Sequence, residues 1–368
     1  MIRFLHCGDL HLDAPFALRS PTEAERRRTE LRGDLSSLML YIRQQKVAIC
    51  LISGDLFDGT AVTPETISLL EREFASCPDC RFFVSPGNHD PLTAGSPYRT
   101  MKLPANVHIF GSEKERVCLD DLGVDVYGFG FDGRNGGTNP MLGYPHKDPA
   151  KINILCCHGD LEGGNASPYC PFTKEDLAKS GFDYVALGHI HKGTELQKEG
   201  EVYWAYPGCI RGRGFDETGY KGFLFGAMEK GNVAAKFIPI SNHRYEIASV
   251  DVTGLTRTEA LEKVRKTAIT YGRETVLRVI LTGQVEEGLV ILPGEISHSA
   301  EYPASVEIKD RTVLAPRFTE LEKSNTLKGV FYRFMAEKLE KGEIPSDALK
   351  YGLLALDDRN VTEELGEE

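Results

Sequence analysis

Five short apolar runs in the first half of the chain each end abruptly in a cluster of small polar and histidine residues. The clusters read G-D-L-H, G-D-L-F-D, G-N-H-D, C-H-G-D and G-H-I-H, at residues 8–11, 54–58, 87–90, 157–160 and 188–191. The runs are rich in β-branched residues and almost continuously apolar, which is typical of strands buried on both faces. Ligands of layered α/β sheets bind beyond the carboxyl ends of the strands, so we expect all five clusters to meet in one crevice.

Helical patterns separate these runs, and alternation of strand and helix predicts an α/β domain. Residues 23–45 carry apolar positions at helical spacing, and residues 63–74 open with Thr-Pro-Glu, a helix start signal. After residue 243 the sequence pattern changes to that of a strand, an amphipathic helix and a strand. The last fifty or so residues have a helical pattern. We therefore predict a layered domain over 1–243, a small α+β domain over 244–316 and a helical tail over 317–368.

Composition excludes some classes of protein. The net charge of −11 counts against a nucleic-acid binder that uses a generally basic surface, but it leaves a local basic groove open. No run approaches the ~18 apolar residues of a membrane span, and the N-terminus lacks a signal peptide, so we expect a cytoplasmic protein without a membrane partner. Cys77 and Cys80 have no second pair at matching spacing, which favours a structural role over a zinc site.

The side chains of the five clusters are suited to divalent metal ions. A mixture of carboxylates, imidazoles and one amide, without thiolate, fits two borderline-hard ions such as manganese or iron. In extended backbone, residues two apart point the same way, so Asp9 and His11 can act together, as can His189 and His191. Asp55 could bridge two metals about 3.5–4 Å apart. Any one cluster alone could be a turn with a solvated histidine. The series of five favours a metal site.

These motifs resemble those of the calcineurin-like metallophosphoesterases and, within them, of the SbcD-type DNA repair exonuclease subunits of bacteria. The superfamily motifs span residues 8–191, and the glycine-rich stretch from Tyr206 to Gly222 is similar to the segment that follows in those exonucleases. The resemblance implies an α/β/β/α sandwich of two mixed sheets, followed by a small α+β capping domain and a helical C-terminal tail.

The resemblance also implies the metal ligands. One metal would be held by Asp9, His11, Asp55 and His191, and the other by Asp55, Asn88, His158 and His189. Manganese is the expected ion, with iron as the alternative.

Other residues receive roles beside the metals. The resemblance implies that His89 would lie over the phosphate, to stabilise the transition state or protonate the leaving oxygen, with Asp90 orienting it. Asp58 matches the bacterial branch of the family and is expected to hold a ligand or a turn. Arg211 and Arg213 follow the last metal motif and are candidates for contact with a phosphate backbone.

We therefore expect a two-metal phosphodiesterase, namely a DNA exonuclease or endonuclease subunit in repair, in which a metal-bridging hydroxide attacks in line. One alternative is a phosphomonoesterase or cyclic-nucleotide phosphodiesterase, although such small substrates would not need the long C-terminal extension. The other is a weakly active regulatory partner of an ATPase, against which the complete ligand set argues.

We expect the C-terminal tail to bind a protein partner. Residues 326–339 and 346–356 predict two helices with apolar stripes. Because SbcD-type subunits bind an SMC-like ATPase through a helical segment after the capping domain, the resemblance implies an SbcC-type ATPase as partner, besides DNA. A homodimer is also compatible with it. The alternative is that both helices pack on this protein's own domains.

Overall fold

Each of the five apolar runs is a β-strand in the computed structural model of the chain. The structure describes residues 1–16, 20–134, 136–161, 167–285, 289–296, 301–314, 319–345 and 348–356. The chain divides into two compact units, one formed by Met1–Arg213 and Tyr220–Asn242, the other by Gly214–Gly219 and His243–Glu368. The main division thus follows Asn242, next to the expected boundary after residue 243. The short segment Gly214–Gly219 groups with the second unit, which the sequence did not indicate.

The first unit is built on two six-stranded sheets. Its strands are β1 (Ile2–Cys7), β2 (Ile49–Ile52), β3 (Arg81–Val84), β4 (Val107–Ile109), β5 (Glu115–Leu119), β6 (Val124–Gly128), β7 (Ile152–His158), β8 (Tyr184–Gly188), β9 (Gln197–Glu199), β10 (Val202–Ala205), β11 (Gly222–Glu229) and β12 (Asn232–Pro239). The first sheet has the order β12-β11-β1-β2-β3-β4, and the second has the order β5-β6-β7-β8-β10-β9.

Both sheets are mixed. In the first, β1 to β4 are parallel, and β11 and β12 extend the sheet in antiparallel pairs. In the second, β6, β7, β8 and β10 are parallel, whereas β5 and β9 pair antiparallel at the two edges. The five strands that precede the polar clusters are therefore all in parallel parts of the sheets, three in the first and two in the second.

Successive side chains along a strand face opposite layers, which creates the sandwich. Phe4 and Leu51 of the first sheet pack between the sheets against Ile154 of the second. Leu5 and Cys50 face the other way, towards helices α1 (Pro21–Gln45) and α2 (Pro64–Ala75). Cys77 and Cys80 are buried in this same layer as free thiols, in agreement with a structural role.

The outer face of the second sheet is covered by one short helix and by loops. The helix is α3 (Lys174–Lys179), and its Leu177 packs with loop residues Phe131 and Phe172 against Leu155. This completes the predicted α/β/β/α sandwich of two mixed sheets, which is confirmed, although this side holds less helix than the first.

The second unit contains a small parallel sheet with helices. Its elements are β13 (Arg244–Asp251), α4 (Arg257–Ile269), β14 (Thr275–Thr282), β15 (Gln284–Val285), β16 (Ser305–Asp310), β17 (Val313–Leu314), α5 (Thr319–Lys323), α6 (Leu327–Glu340) and α7 (Ala348–Ala355). β13, β14 and β16 form a three-stranded parallel sheet. The amphipathic helix expected here is α4, and Thr256 and Glu259 form a capping box at its start. No helix in the described part of the chain is both long enough and apolar enough to cross a membrane.

The helical tail packs on the same core as the sheet of this unit. Tyr332 of α6 and Leu349 and Leu353 of α7 are buried together with Leu277 and Val279 of β14. The tail is thus part of the second unit and not a separate segment, which is the alternative that the sequence left open. Ser346, the first residue of the last predicted helix, lies outside the described residues.

Candidate metal centre

The polar clusters meet where the five parallel strands end. The backbone N–H of Asp9 donates to the carbonyl of Gly54 at 3.0 Å, which joins the first cluster to the second. The N–H of His89 donates to Oδ1 of Asp55 at 3.0 Å, and that of His189 lies 3.2 Å from both carboxylate oxygens of Asp9. The crevice expected from the sequence is therefore formed by loops from both sheets.

Several of these residues adopt a left-handed backbone conformation. The φ angles are 51° at Asp9, 46° at His11, 48° at Asp55 and 105° at His189. Side-chain-bearing residues rarely adopt such angles, and the surrounding contacts must hold them there. Local strain of this kind concentrates at functional sites.

Asp9, His11 and His191 form the first group of potential ligands, with one donor atom from each within 4.8 Å of the others. Nε2 of His11 lies 3.0 Å from Nε2 of His191, and Nε2 of His191 lies 3.8 Å from Oδ1 of Asp9. Oδ2 of Asp55 is 3.8 Å from Nε2 of His11. The four residues that the resemblance implied for one metal are therefore gathered around one point.

Asp55, Asn88 and His158 form the second group. Nδ1 of His158 lies 3.0 Å from the carbonyl oxygen of Ser53, so it carries the proton and Nε2 is left with a bare lone pair. That lone pair faces Oδ1 of Asn88 at 2.9 Å and Oδ2 of Asp55 at 3.5 Å. Three acceptors converge with no proton to share, which is the environment that a divalent cation fits.

His189 lies beside the second group. Its ring centroid is 5.1 Å from that of His158 and 4.8 Å from that of Tyr169. Its Nε2 is 4.0 Å from a carboxylate oxygen of Asp160. Of the residues expected at the second metal, His189 is the one whose ring nitrogens lie outside the tight groups of described ligand atoms.

The electrostatics of the centre also suit a cation. Burial lowers the pKa of His158 and of His11, and burial followed by the nearby His158 lowers that of His189 to about 4. These imidazoles are therefore neutral near pH 7, the form that binds metal. Burial, and after it the negative charge of Asp55, raises the pKa of Asp9 well above its ordinary value. A cation between the two carboxylates would relieve that repulsion.

His89 is placed at the rim and is accompanied by Asp58. The His89 side chain is 44% exposed, and its Nδ1 lies 3.7 Å from Oδ1 of Asp58. The same oxygen is 2.8 Å from Nδ1 of His11 and 3.0 Å from Nη1 of Arg213. Asp58 thus contacts three functional side chains, which is a more central position than the sequence indicated.

Asp90 has a different set of contacts from those expected. It is fully buried, and its carboxylate accepts hydrogen bonds from the N–H groups of Gly87 and Phe57 and from the hydroxyl of Tyr98. These bonds shape the loop that carries Asn88. Among the described residues, the carboxylate within 4 Å of a ring nitrogen of His89 belongs to Asp58. In this structure the carboxylate beside the His89 ring is therefore that of Asp58 and not that of Asp90.

The two arginines of the glycine-rich loop differ. Arg211 is buried and donates from Nη2 to Oδ1 of Asp34 at 2.9 Å, with a second bond from Nε to the other oxygen of the same carboxylate. It ties the loop to α1, and this engagement argues against the expected phosphate contact. Arg213 reaches the centre itself, where its Nη2 lies 3.4 Å from Nδ1 of His191.

Two glycines show why the clusters begin as they do. A Cβ atom at Gly87 would lie 2.1 Å from Oδ1 of Asp55, and one at Gly188 would lie 1.9 Å from the carbonyl oxygen of Ser53. Both positions are occupied by atoms that the metal centre uses, so a larger residue would displace Asp55 or the partner of His158.

A buried network that the sequence did not indicate lies behind His158. The Ser53 hydroxyl donates to the carbonyl of Cys7 at 3.2 Å, so it accepts from Nε2 of His6 at 3.0 Å. Nδ1 of His6 then accepts from the hydroxyl of Tyr184 at 2.8 Å. Nothing in the sequence pattern distinguishes His6 from an ordinary strand residue.

The chain is similar to known proteins. The family model described as calcineurin-like phosphoesterase matches residues 2–193. An uncharacterized metallophosphoesterase of Bacillus subtilis, YhaO, is 31% identical over 373 residues, which cover 95% of this chain and 89% of that protein. The DNA double-strand break repair protein Mre11 of Methanopyrus kandleri is 25% identical over 287 residues, covering 71% of this chain and 62% of its own.

Among solved structures, a dimetal phosphatase from Danio rerio aligns with a TM-score of 0.42 at 11% identity, over 65% of this chain and 96% of that one. The family match spans all five polar clusters, and the relative of Bacillus subtilis extends it over nearly the whole length. The chain belongs to the calcineurin-like phosphoesterase family and is a hydrolase that acts on phosphoester bonds.

Proposed function

We propose that this hydrolase is a manganese-dependent phosphodiesterase whose substrate is DNA. The observation that carries the proposal is the position of His89, exposed at the rim of the two ligand groups and held there through its backbone bond to Asp55. Hydrolysis of a diester expels an alkoxide, which needs a proton, and a histidine placed beside the leaving oxygen can supply it.

Similarity to Mre11 proteins supports DNA as the substrate class. Two such proteins, described as DNA double-strand break repair proteins, match 71% and 55% of this chain at 25% and 26% identity. The ligand chemistry supports the ion. Carboxylate, imidazole and amide donors without a thiolate suit manganese, with iron as the alternative.

The residues of the chain have distinct tasks in this proposal. Asp9, His11, Asp55 and His191 would hold one ion, and Asp55, Asn88, His158 and His189 the other. When bound, the two ions lower the pKa of water and neutralise the charge that develops on the phosphate. Oδ1 of Asp58 lies 2.8 Å from Nδ1 of His11 and 3.0 Å from Nη1 of Arg213, so Asp58 would orient both side chains. His89 donates the proton to the leaving oxygen.

The test is a comparison of three substrates with manganese present: labelled linear DNA, a small chromogenic phosphodiester and the matching phosphomonoester. We expect cleavage of both diesters, little turnover of the monoester, and loss of all activity in Asp55→Ala. Asp121→Ala changes an exposed carboxylate of the same unit and serves as the control. Faster hydrolysis of the monoester, with intact DNA, would favour the phosphomonoesterase alternative.

We also propose that the exposed side of α6 binds an SbcC-type ATPase. Leu327, Val330 and Phe334 are 74%, 52% and 57% exposed, although Phe331 and Met335 of the same helix pack on the core. The apolar residues of this helix thus divide between two faces and do not form the single stripe expected. An apolar face at i, i+3, i+7 spacing is the pattern by which helices dock on partners.

A further inference from the structure

We propose that a pocket beside the metal centre, here called the arginine pocket, binds a second phosphate of the DNA strand whose scissile phosphate lies at the metals. The pocket has a volume of about 620 Å³ and is lined by Leu92, Thr93, Arg99, Ser112, Asp132 and Arg134. This inference rests on the proposed function, because it names how the same site would recognise a polynucleotide and not only a small diester.

The arginine pocket is connected to the metal centre through two neighbouring loops. Leu92 follows Asn88 by four residues, and a chain of that length spans at most ~14 Å. The N–H of Leu92 donates to the carbonyl of Phe131 at 2.7 Å, and the N–H of Phe131 donates to the carbonyl of Pro86 at 3.0 Å. The Phe131 ring lies edge-on to that of His158, with centroids 5.7 Å apart. The pocket and the ligands are thus parts of one continuous loop structure.

Both guanidinium groups of the arginine pocket have N–H donors that bind no described residue. Arg99 donates from Nε to the carbonyl of Thr93 at 2.9 Å and from Nη2 to that of Leu92 at 3.2 Å, and Nη1 has no partner among the described residues. The guanidinium of Arg134 likewise has no hydrogen bond or ion pair within the described part of the chain, since only its backbone N–H is engaged, by Asp132. Two cations against one carboxylate make the pocket locally positive.

This local charge is informative because the chain as a whole carries −11. A polyanionic substrate would be repelled by the average surface, so it needs a specific place where its charge is neutralised. Along a stacked strand the rise is ~3.4 Å per nucleotide, so the ~14 Å that chain length allows between Asn88 and Leu92, at the edge of the pocket, corresponds to about four nucleotides. Arginine is well suited to this task because its planar donors match phosphate oxygens.

The experiment compares a labelled single-stranded oligonucleotide with a small chromogenic phosphodiester, using the full chain. In Arg99→Ala and Arg134→Ala, the ratio of kcat/KM for the oligonucleotide to that for the small diester should fall about fivefold each, as for loss of one exposed charge contact. Arg134→Lys should restore part of it. Arg26→Ala, on the exposed side of α1, should leave the ratio as in the parent.

A binding measurement without divalent metal separates affinity from cleavage. Fluorescence anisotropy of the labelled oligonucleotide should give weaker binding for both alanine variants. The slope of log K against log salt should become shallower by about 0.7 per arginine removed. Asp132→Asn keeps an acceptor for the backbone of Arg134 and removes a negative charge, so it should bind more tightly.

The outcomes distinguish this inference from the proposed function. If the parent cleaves DNA but the arginine variants keep the parent's ratio, affinity and salt slope, the pocket does not bind the strand and the inference is overturned. If the parent hydrolyses the small diester and neither binds nor cleaves DNA, the proposed substrate is wrong and the inference falls with it.

Discussion

The carbonyl oxygen of Ser53 lies 3.0 Å from Nδ1 of His158 and thereby sets which nitrogen of that ring carries the proton. Ser53 is itself held at the other end by His6, which lies in β1 and is fully buried. The orientation of one expected metal ligand therefore depends on a histidine that contacts neither metal group. Such supporting contacts affect metal affinity by about 10–100-fold in known sites.

His6 should make the stability of the protein depend on pH in a defined range. Burial lowers the pKa of His6 from 6.5 to about 3. Between these values the unfolded chain binds a proton there and the folded chain does not, so the free energy of unfolding decreases as the pH falls from about 6.5 towards 3. The slope is at most about 1.4 kcal/mol per pH unit from this group.

Urea unfolding of the metal-free protein between pH 4.5 and 7 measures this dependence. His6→Gln keeps a donor for Ser53 but cannot titrate, so its stability should fall less steeply than that of the parent as the pH decreases. His146→Gln, at an exposed histidine, is the matched control. Equal slopes in the parent and His6→Gln would show that His6 does not contribute.

Asp55→Ala should lose both metals. Its Oδ2 lies 3.8 Å from Nε2 of His11 and 3.5 Å from Nε2 of His158, so one carboxylate serves both groups. Elemental analysis after gel filtration should find two ions in the parent and in Asp121→Ala, and none tightly bound in Asp55→Ala. Retention of two ions by the folded variant would mean that Asp55 is not shared.

His89→Ala should keep its metals and lose turnover by about 10²–10⁴-fold, the usual contribution of a general acid or base. Its imidazole is at the rim, and only its backbone N–H contacts Asp55. His89→Gln keeps a polar group of similar length but has no proton to transfer near pH 7, so it should be as slow. Normal rates in either variant would remove His89 from catalysis.

Asp58→Asn and Asp90→Asn should have different effects. Asp58 contacts His11, His89 and Arg213, so its replacement should weaken metal binding and turnover by about 10–100-fold with little change in stability.

Burial, and then the charge of Asp55, raises the pKa of Asp90 to about 7, and its carboxylate accepts three hydrogen bonds. The amide of asparagine would place its own N–H donors against the N–H and O–H groups that now donate to the carboxylate. Such an unsatisfied contact costs about 1–3 kcal/mol of stability. Thermal melting and metal titration of both variants distinguish the expected role of Asp58 in metal binding from that of Asp90 in stability. The reverse pattern would support Asp90 as the residue that orients His89.

The exposed face of α6 should bind the ATPase without supporting the fold. Replacing Leu327, Val330 and Phe334 together by serine should leave the melting temperature nearly unchanged and abolish co-purification with an SbcC-type ATPase. Tyr332→Ala, on the buried side, should instead destabilise by about 3–5 kcal/mol. Removal of the whole tail would take Tyr332, Leu349 and Leu353 from the core and could not separate the two effects. Unchanged binding by the triple variant would exclude this face.

The sequence predicted the strands and the crevice in which the polar clusters meet because each depends on a local pattern. The run that ends at Cys7 and the cluster that follows it are adjacent in the chain, and strand direction alone brings such clusters together. The helix of the second unit was predicted for the same reason, since its amphipathic pattern lies within one short stretch of the chain, where the structure has α4.

What the sequence did not indicate depends on contacts between distant residues. His6 reaches Tyr184 across 178 positions, and Arg211 reaches Asp34 across 177. Asp90 follows His89 directly, yet its carboxylate bonds Gly87, Phe57 and Tyr98 instead. The tail helices carried enough apolar residues for a partner or for this protein's own core, and only packing decided how they divide.

The left-handed backbone at Asp9, His11, Asp55 and His189 lowers the stability of the fold at positions that the proposed activity requires. Glycine adopts such angles without strain, so a glycine at Asp9 or Asp55 would also relieve the repulsion between two buried carboxylates. Selection for a more heat-resistant metal-free protein would therefore tend to remove its ligands. A thermostability screen of this protein should be run with metal bound, or it will enrich variants that fold better because they can no longer react.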